Sequence, residues 1–538
     1  MHRVYNSAFM HMLKAEDNAG YRQVMKNTLE FDPEVLKRFV NFMSNPDEET
    51  AIAQFGDGDK YIGACLLMAT LPGLPMFAHG QLEGFREKYG MEFRRAYWNE
   101  TPRPDLLARQ EREIFPLLRR RALFAGVESF LLYDLEASAG GVNEDVFAYS
   151  NMRAGERALV LYNNRFAQAG GRVRMSAAFA VKSGGGKSLD RRTLAEGLAL
   201  PGDRAAFVVF REHFSGLQFI RCCADIAENG LAIDLGAYQC EVFLDFSIVT
   251  DDASGRWARL AAELGGRGVP HMDEAMREME LRPILEPLRA LTSGEIWDRF
   301  LRAARPECLA DDEKSFLIRV GETYRGFLAA AAGRAGSPGA SALEPRSLLP
   351  DCMALIRGAA PGSTRPTWLD KASATLLHTG LRDQAGALPA LWMWTLLQPL
   401  GDRVEEWMLA PIIRELAGRA GAEPAAVEDA PALVAFLLRR ADWVARSGSA
   451  ADLLADDAFQ RAVHVNSFEG VAWLRKESLE TLLPALFAAG IVGSSLGEEM
   501  TRKEKRAVNA RARDEIVRIR KAAETSGYRW EAFSAALA

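Results

Sequence analysis

The sequence has 538 residues, 48% hydrophobic and 26% charged, which is enough for several globular domains. A net charge of −6 and a pI near 5.9 argue against nucleic acid or an anionic membrane surface as a partner. The six cysteines form neither a CxxC pair nor a zinc-ligand pattern, which predicts free thiols in a reducing, cytoplasmic compartment. Two long stretches with little charge, within 61–86 and 385–401, contain prolines, so we expect no membrane span.

The first 125 residues are predicted to alternate between strands and helices. Residues 14–29 have helical charge spacing, and the apolar run 39–43 is typical of a strand buried on both faces. A helix over 60–71 and a second buried strand within 74–80 follow. A polar loop then leads to a charged amphipathic helix over 105–121. This order is the βα repeat of a parallel sheet.

The pattern changes after residue 125. Seven short β-rich runs separated by Gly, Asn and Asp turns predict an antiparallel β-sandwich over 126–250. Residues 251–335 are helical in pattern, 336–347 form a linker rich in Gly, Ser, Ala and Pro, and 348–538 predict a helical domain of unknown role. The chain is therefore predicted to be multidomain, with an all-α C-terminal region.

The residues that follow the first buried strand, Asn45-Pro46-Asp47-Glu48, have two interpretations. An Asn cap, a Pro at the first position and acids in the first turn are typical of a helix start. The local pattern therefore favours a helix start, although polar residues at the C-terminal end of a parallel strand are also typical of a ligand site. The polar residues after the two strands are Asn45 and Asp47, and then His79, Gln81 and Glu83.

The stretches FVNFMSNPDEETA and LMATLPGLPMFAHGQLEG together resemble the end of the catalytic barrel of the α-amylase superfamily, glycoside hydrolase family 13. In that family, strand seven ends in an Asn-His-Asp signature and strand eight carries a PGxP…GQxE pattern. The β-rich region that follows fits the same layout, so the resemblance covers about residues 1–250. It implies a partial (β/α)8 TIM-barrel segment over 1–125 and a glycoside hydrolase or transglycosylase acting on α-glucosidic bonds.

The resemblance also implies roles for the strand-end residues. Asp47 corresponds to the family's third carboxylate, which binds ring hydroxyls and helps to distort the sugar toward an oxocarbenium-like transition state. Asn45, Gln81 and Glu83 then line or support a site for an α-glucan or oligosaccharide, and no metal or cofactor is expected. Pro46 stands where the family has His, and His79 is a conceivable substitute.

The family's nucleophile and general acid lie at the ends of strands four and five, upstream of the part that this sequence matches. The first residues, MHRVYNSAF, supply at most strand six. We therefore expect the C-terminal part of a larger enzyme, inactive alone and completed by a complementary N-terminal barrel segment. The alternative is a non-catalytic carbohydrate-binding or scaffold protein derived from such a barrel.

Two other motifs suggest structure more than chemistry. GGGKS at 184–188 lacks the first Gly of a phosphate-binding loop and lies between β-rich runs, which predicts a hairpin tip. The segment 501–524 holds nine Lys and Arg against four acids, with no aromatic residues among them. This pattern favours a solvated helix face with compensating ion pairs over a nucleic-acid or partner-binding helix.

Overall fold

The computed structural model describes residues 3–538 except 89–93, 139, 184–185, 336–347, 447 and 494–499. The chain divides into two compact units, Met1–Met279 and Glu280–Ala538. The predicted linker at 336–347 lies outside the described residues. Among the described helices, none is both long enough and apolar enough to cross a lipid bilayer.

Three short parallel strands, with helices between them, open the first unit. The elements are β1 (Val4–Tyr5), α1 (Ser7–Ala15), α2 (Asn18–Phe31), a 3₁₀ helix (Pro33–Arg38), β2 (Phe39–Phe42), α3 (Ala51–Phe55), α4 (Asp59–Thr70) and β3 (Leu74–Met76). The strands pair in the order β1-β2-β3, and both pairs are parallel. The parallel arrangement that the βα alternation predicted is therefore present.

A chain of buried amides joins the three strands. The Nδ2 group of Asn6, next to β1, donates to Oδ1 of Asn41 on β2 over 2.9 Å. The Nδ2 group of Asn41 in turn donates to the Pro72 carbonyl, before β3, over 3.1 Å. Both asparagines are buried, so each amide needs such a partner.

The helix predicted over 105–121 is interrupted twice. Its segments are α5 (Pro104–Glu113), α6 (Phe115–Arg119) and α7 (Arg121–Phe124). Pro116 has no N–H to donate and lies in the first turn of α6, where a missing donor costs little, so it marks a new helix start after α5. The prediction of one continuous helix was wrong.

The region predicted as a β-sandwich forms one curled antiparallel sheet and a separate hairpin. Its elements are β4 (Leu131–Ala137), β5 (Val142–Arg153), β6 (Glu156–Asn163), β7 (Ala169–Ser176), β8 (Phe179–Ser183), β9 (Gly186–Asp190), α8 (Leu194–Gly197), β10 (Ala206–Glu212), β11 (Gln218–Cys222), α9 (Cys223–Asn229), β12 (Leu231–Leu235) and β13 (Cys240–Thr250). Eight strands pair in the order β11-β10-β13-β6-β5-β4-β7-β12. One core cluster takes Val208 from β10 and Ile233 from β12, so the two ends of the sheet curl toward each other.

The hairpin consists of β8 and β9, with Ser183 paired to Gly186. The predicted hairpin around GGGKS is therefore present, and its tip, 184–185, lies outside the described residues.

The other face of the curled sheet packs on the helices of the parallel part. The hydroxyls of Tyr149 on β5 and Thr70 on α4 share a hydrogen bond. A Cβ at Gly63 of α4 would lie 1.9 Å from a ring carbon of Tyr162 on β6, so only glycine fits this contact. The two layers therefore share one hydrophobic core.

Arg22 on α2 is fully buried and binds the ends of β4 and β5. Its Nε donates to Glu144 over 2.6 Å, and its Nη1 donates to the Val146 carbonyl over 2.6 Å. Its Nη2 pairs with Asp134 and donates to the Tyr133 carbonyl over 3.2 Å. This one guanidinium fixes α2 against the antiparallel sheet.

The rest of the described chain is helical apart from one short hairpin. The helices are α10 (Arg256–Leu264), α11 (Met272–Leu291), α12 (Gly294–Ala303), α13 (Ala310–Ala335), α14 (Leu349–Ala359), α15 (Lys371–Asp383), α16 (Ala387–Leu397), α17 (Ala410–Arg419), α18 (Pro424–Arg440), α19 (Ala450–Leu454), α20 (Asp457–Ala462), α21 (Lys476–Gly493), α22 (Arg502–Thr525) and α23 (Trp530–Leu537), with 3₁₀ turns at Gln398–Leu400 and Ala441–Trp443. The hairpin, β14 (Asn466–Phe468) and β15 (Val471–Trp473), was not predicted.

The basic segment 501–524 forms most of α22. Thr501 and Glu504 form a capping box at its start. Three of its arginines are in ion pairs: Arg513 with Asp370, Arg518 with Glu515 and Arg520 with Glu480. These pairs agree with the predicted helix face carrying compensating charges.

Replacing Arg22 by glutamine should destabilise the first unit by about 2–4 kcal/mol, because buried carbonyls and the Glu144 carboxylate lose their donor and Asp134 keeps only Lys26. Urea denaturation followed by circular dichroism measures the loss. The matched control is Arg204→Gln, since Arg204 pairs with Glu228 at the surface. We expect the control to change the free energy of unfolding by less than about 1 kcal/mol. Equal effects of the two variants would contradict this role of Arg22.

Glu241 on β13 predicts a pH dependence of stability. Burial, with Glu212 and Asp234 nearby, raises its pKa from 4.5 to about 7. The folded state therefore holds this proton between those pH values while the unfolded state has released it. We expect stability to fall as pH rises from 4.5 to about 7. The variant Glu241→Gln should reduce this fall, as measured by denaturation midpoints at pH 5 and pH 8, and an unchanged profile would contradict the assignment.

Candidate functional site

The loop after β2 is a turn held by the side chain of Asn45. Its Oδ1 accepts hydrogen bonds from the N–H groups of Asp47 over 2.9 Å and Glu48 over 3.1 Å. The next helix, α3, begins only at Ala51, with Thr50 as its cap. Asn45 therefore caps a turn. One interpretation of the sequence had predicted that Asn45 starts a helix, and that prediction was wrong. The Asp47 side chain is exposed.

Gln81, after β3, lies beneath the surface with 2% exposure. Its Oε1 accepts from the Ala78 N–H over 3.2 Å, and its Nε2 lies 3.4 Å from the Met43 sulfur. Because Met43 directly follows β2, Gln81 connects the ends of two neighbouring strands. This position suits support of a site better than direct contact with a ligand.

Two further groups pack around Gln81 from α4. The Tyr61 hydroxyl donates to the Gln81 carbonyl over 2.5 Å. Burial raises the pKa of the Tyr61 hydroxyl, and it raises the pKa of the Cys65 thiol to about 12. Both groups therefore stay neutral near pH 7 and act as scaffold.

His79 and Glu83, the other predicted residues after β3, are more accessible. His79 is exposed, and its ring meets Phe85 edge to face at 6.1 Å. Glu83 is half-buried, and its carbonyl accepts from the Arg103 N–H over 3.0 Å.

Lys88 joins the loops that follow β2 and β3. Its Nζ donates to the Asp47 carbonyl over 3.0 Å and lies 4.0 Å from the Glu49 carboxylate. From the helix after β1, His11 places its Nε2 3.6 Å from the Glu48 carboxylate. Polar groups that follow all three parallel strands thus meet around the Asn45 turn. Sequence reasoning missed Lys88 and His11, since no local pattern records a contact between residues so far apart along the chain.

The arrangement suits the recognition of hydroxyl groups. An exposed carboxylate such as that of Asp47 accepts hydrogen bonds, and charge-assisted bonds are stronger than neutral ones. Within the residues that the structure describes, no group of three or more His, Cys, Asp or Glu side chains could hold a metal ion.

Replacing Asn45 by alanine should loosen the turn that carries Asp47, because the Asp47 N–H loses its acceptor and the Glu48 N–H keeps only the residue 45 carbonyl, over 3.2 Å. We expect a loss of about 1 kcal/mol and faster hydrogen exchange at the Asp47 and Glu48 amides. The conservative variant Asn45→Asp keeps an acceptor oxygen, so its stability and its amide exchange rates should stay close to those of the original protein. Similar amide exchange rates in the two variants would contradict the capping role of Asn45.

The chain is similar over part of its length to several solved carbohydrate-active enzymes. The native debranching enzyme of Nostoc punctiforme matches with 14% identity and a TM-score of 0.31, covering 46% of this chain and 48% of that one. An α-amylase from H. orenii matches with 15% identity and a TM-score of 0.26, covering 46% and 49%. An α-amylase of Geobacillus thermoleovorans, complexed with acarbose, matches with 14% identity and a TM-score of 0.25, covering 39% of each chain.

The chain thus spans less than half the length of these solved structures. No protein-family model matches the sequence, and no curated protein matches it significantly. The matched structures include α-amylases, the family that the two quoted stretches of sequence resemble.

Proposed function

We propose that residues 1–125 are the closing part of an α-amylase-type barrel that acts on α-glucosidic bonds, as a hydrolase or a transglycosylase. The substrate is an α-glucan or oligosaccharide. The observation that carries the proposal is the meeting of polar groups after three adjacent parallel strands around the turn of Asp47. In a parallel barrel, catalytic groups gather at this end of the strands.

Asp47 acts in this proposal as the carboxylate that binds ring hydroxyls. Those hydrogen bonds strengthen as the sugar approaches its oxocarbenium-like transition state. Asn45 holds the backbone of Asp47 in place, and Gln81 supports the loop from below. The exposed His79 and the half-buried Glu83 are the remaining side chains that we assign to substrate binding.

We further propose a complementary barrel segment as partner. β1 and β3 are the outer strands of the parallel sheet, and they expose the apolar side chains of Val4, Tyr5 and Leu74. Additional parallel strands would pair with these edges and cover these side chains. The same segment would supply the nucleophile and general acid, which retaining enzymes hold about 5–5.5 Å apart. All six cysteines are free thiols, which supports a cytoplasmic location.

The reading frame upstream of Met1 separates this proposal from its alternative. An in-frame continuation that encodes two strand-end carboxylates supports the enzyme. A stop codon directly upstream, together with glucan binding but no cleavage, supports a carbohydrate-binding scaffold.

In a protein that carries the proposed upstream barrel segment, replacing Asp47 by asparagine should lower kcat on maltoheptaose by about 100-fold, since several kcal/mol of transition-state stabilisation depend on its charge. The matched control is Glu49→Gln, which removes a neighbouring exposed carboxylate. Steady-state kinetics measures both variants. Activity of Asp47→Asn within about twofold of the parent would reduce Asp47 to a turn residue.

A further inference from the structure

Helices α15 and α22 of the second unit leave between them a groove of about 670 Å³. Most of its lining is small or apolar: Ala372, Thr375, Leu376, Thr379 and Gly380 from α15, and Val517 from α22. Val517 is 52% exposed, although valine is one of the residue types most often buried in folded proteins. The α15 residues that line the groove run from Lys371 to Asp383, a length of about 18 Å or three helical turns. The groove therefore matches one short helix in length.

The face of α15 that lines the groove has the spacing of a packed helix face, yet it is exposed. Its positions 372, 375, 376 and 379 follow the i, i+3, i+4, i+7 spacing that places side chains on one side of a helix. Ala372, Thr375 and Thr379 are exposed, and Leu376 is half-buried. Small side chains let a neighbouring helix come close, because the distance between packed helices depends on the side chains at the contact. This face is thus suited to pack against a further helix.

The α22 side of the groove is basic. One stripe along this helix, at intervals of four, seven, four and three residues, consists of Arg502, Arg506, Arg513, Val517 and Arg520. Arg513 and Arg520 are compensated by ion pairs. Within the part of the chain that the structure describes, Arg502 and Arg506 take part in no ion pair, and their neighbour Glu504 is engaged in the capping box. The stripe therefore ends in uncompensated positive charge.

This positive charge is concentrated at one end of the groove. Arg513 pairs with Asp370, the cap at the start of α15. The N-terminal half of α22 therefore continues past the start of α15, and the two uncompensated arginines extend the groove there. Lys371 lies at this same end, and the acid of the lining, Asp383, lies at the opposite end of α15.

We propose that this groove binds an acidic amphipathic helix of a partner protein, an interaction beyond the proposed function of residues 1–125. Apolar side chains at i, i+3, i+4 and i+7 of the partner cover Leu376 and Val517. Acidic side chains near one end of the partner helix face the basic end of the groove. Such charge complementarity speeds association and excludes basic helices. The apolar lining and the charge thus select the same kind of partner.

Nucleic acid fits this surface less well than a helix does. The basic residues of 501–524 have no aromatic residues among them on which bases could stack. A phosphate backbone contacts cations and leaves an apolar lining such as that around Val517 uncovered. The net charge of −6 for the whole chain also opposes the approach of a polyanion.

Fluorescence anisotropy of the full chain with a labelled peptide tests the proposal. The probe is an amphipathic helical peptide of about 14 residues, with leucine at i, i+3, i+4 and i+7 and glutamate beside this stripe. The comparison peptide carries lysine at every glutamate position. We expect the glutamate peptide to bind at least about tenfold more tightly, and to lose affinity as salt is added. Equal affinity of the two peptides, or no saturable binding of the glutamate peptide below about 100 μM, overturns the proposal.

The variant Val517→Asp locates the binding in the groove. We expect it to weaken binding of the glutamate peptide by at least about tenfold, because it places a carboxylate in the apolar lining opposite an acidic partner. The matched control is Ile318→Asp, since Ile318 is 56% exposed on α13 and does not line this groove. The control should leave binding unchanged. Both side chains are exposed, so both variants should keep their helices, which circular dichroism checks.

The double variant Arg502→Glu/Arg506→Glu tests the charge. We expect it to weaken binding of the glutamate peptide by about fivefold and to remove most of the salt dependence. The matched control, Arg305→Glu/Arg325→Glu, makes the same change in net charge at two exposed arginines outside the groove. Equal losses in the double variant and its control would reduce the effect to net charge and overturn the proposal.

Other occupants give different results. Unchanged peptide binding in a folded Val517→Asp variant overturns the proposal. Binding of duplex DNA that is lost in Arg502→Glu/Arg506→Glu, with no peptide binding by the parent chain, identifies nucleic acid as the ligand and overturns it as well. Self-association that sedimentation detects in the parent chain and not in Val517→Asp, again without peptide binding, identifies a second copy as the occupant and has the same consequence.

Discussion

The candidate site depends on how three very short parallel strands are held together. β1, β2 and β3 contain two, four and three residues, so few backbone hydrogen bonds join them. A small sheet of this kind is marginal in water without a packed layer beside it. The buried amides of Asn6 and Asn41 add side-chain hydrogen bonds across the strands, and α4 covers them against the antiparallel sheet. Strand ends that are fixed in this way hold the loops after them in fixed positions relative to one another.

A capping role for Asn45 and a ligand-binding role for Asp47 are compatible with each other. The cap uses the side chain of Asn45 and the backbone N–H groups of Asp47 and Glu48. It leaves the Asp47 side chain exposed, and Lys88 occupies only the Asp47 carbonyl. A residue pattern chosen for local hydrogen bonding can therefore also present a carboxylate in a fixed position. For this reason the local pattern alone did not decide between structure and catalysis.

The parts of the fold that could be predicted are those with a local signal. The run at 39–43 is apolar apart from Asn41 and shows no alternation, and it forms β2 because both faces of the sheet are covered. The β-rich runs indicated strands, but sequence does not state which strands pair, so the single curled sheet was not foreseen. Within the site, the burial of Gln81 depends on Met43 and Met68, and the contact of Lys88 depends on a loop 41 residues away. Such contacts arise from tertiary packing and leave no periodicity in the sequence.

The edge strands of the parallel sheet are too short to favour indiscriminate association. Long, flat, apolar edges promote aggregation, and natural proteins limit this danger by keeping edge strands short. β1 and β3 are short in this sense, yet they expose Val4, Tyr5 and Leu74. A two- or three-residue edge offers too few hydrogen bonds to capture an arbitrary strand. In the proposed barrel, the strand that pairs with such an edge is already held in place by its own helices, so a few hydrogen bonds are enough.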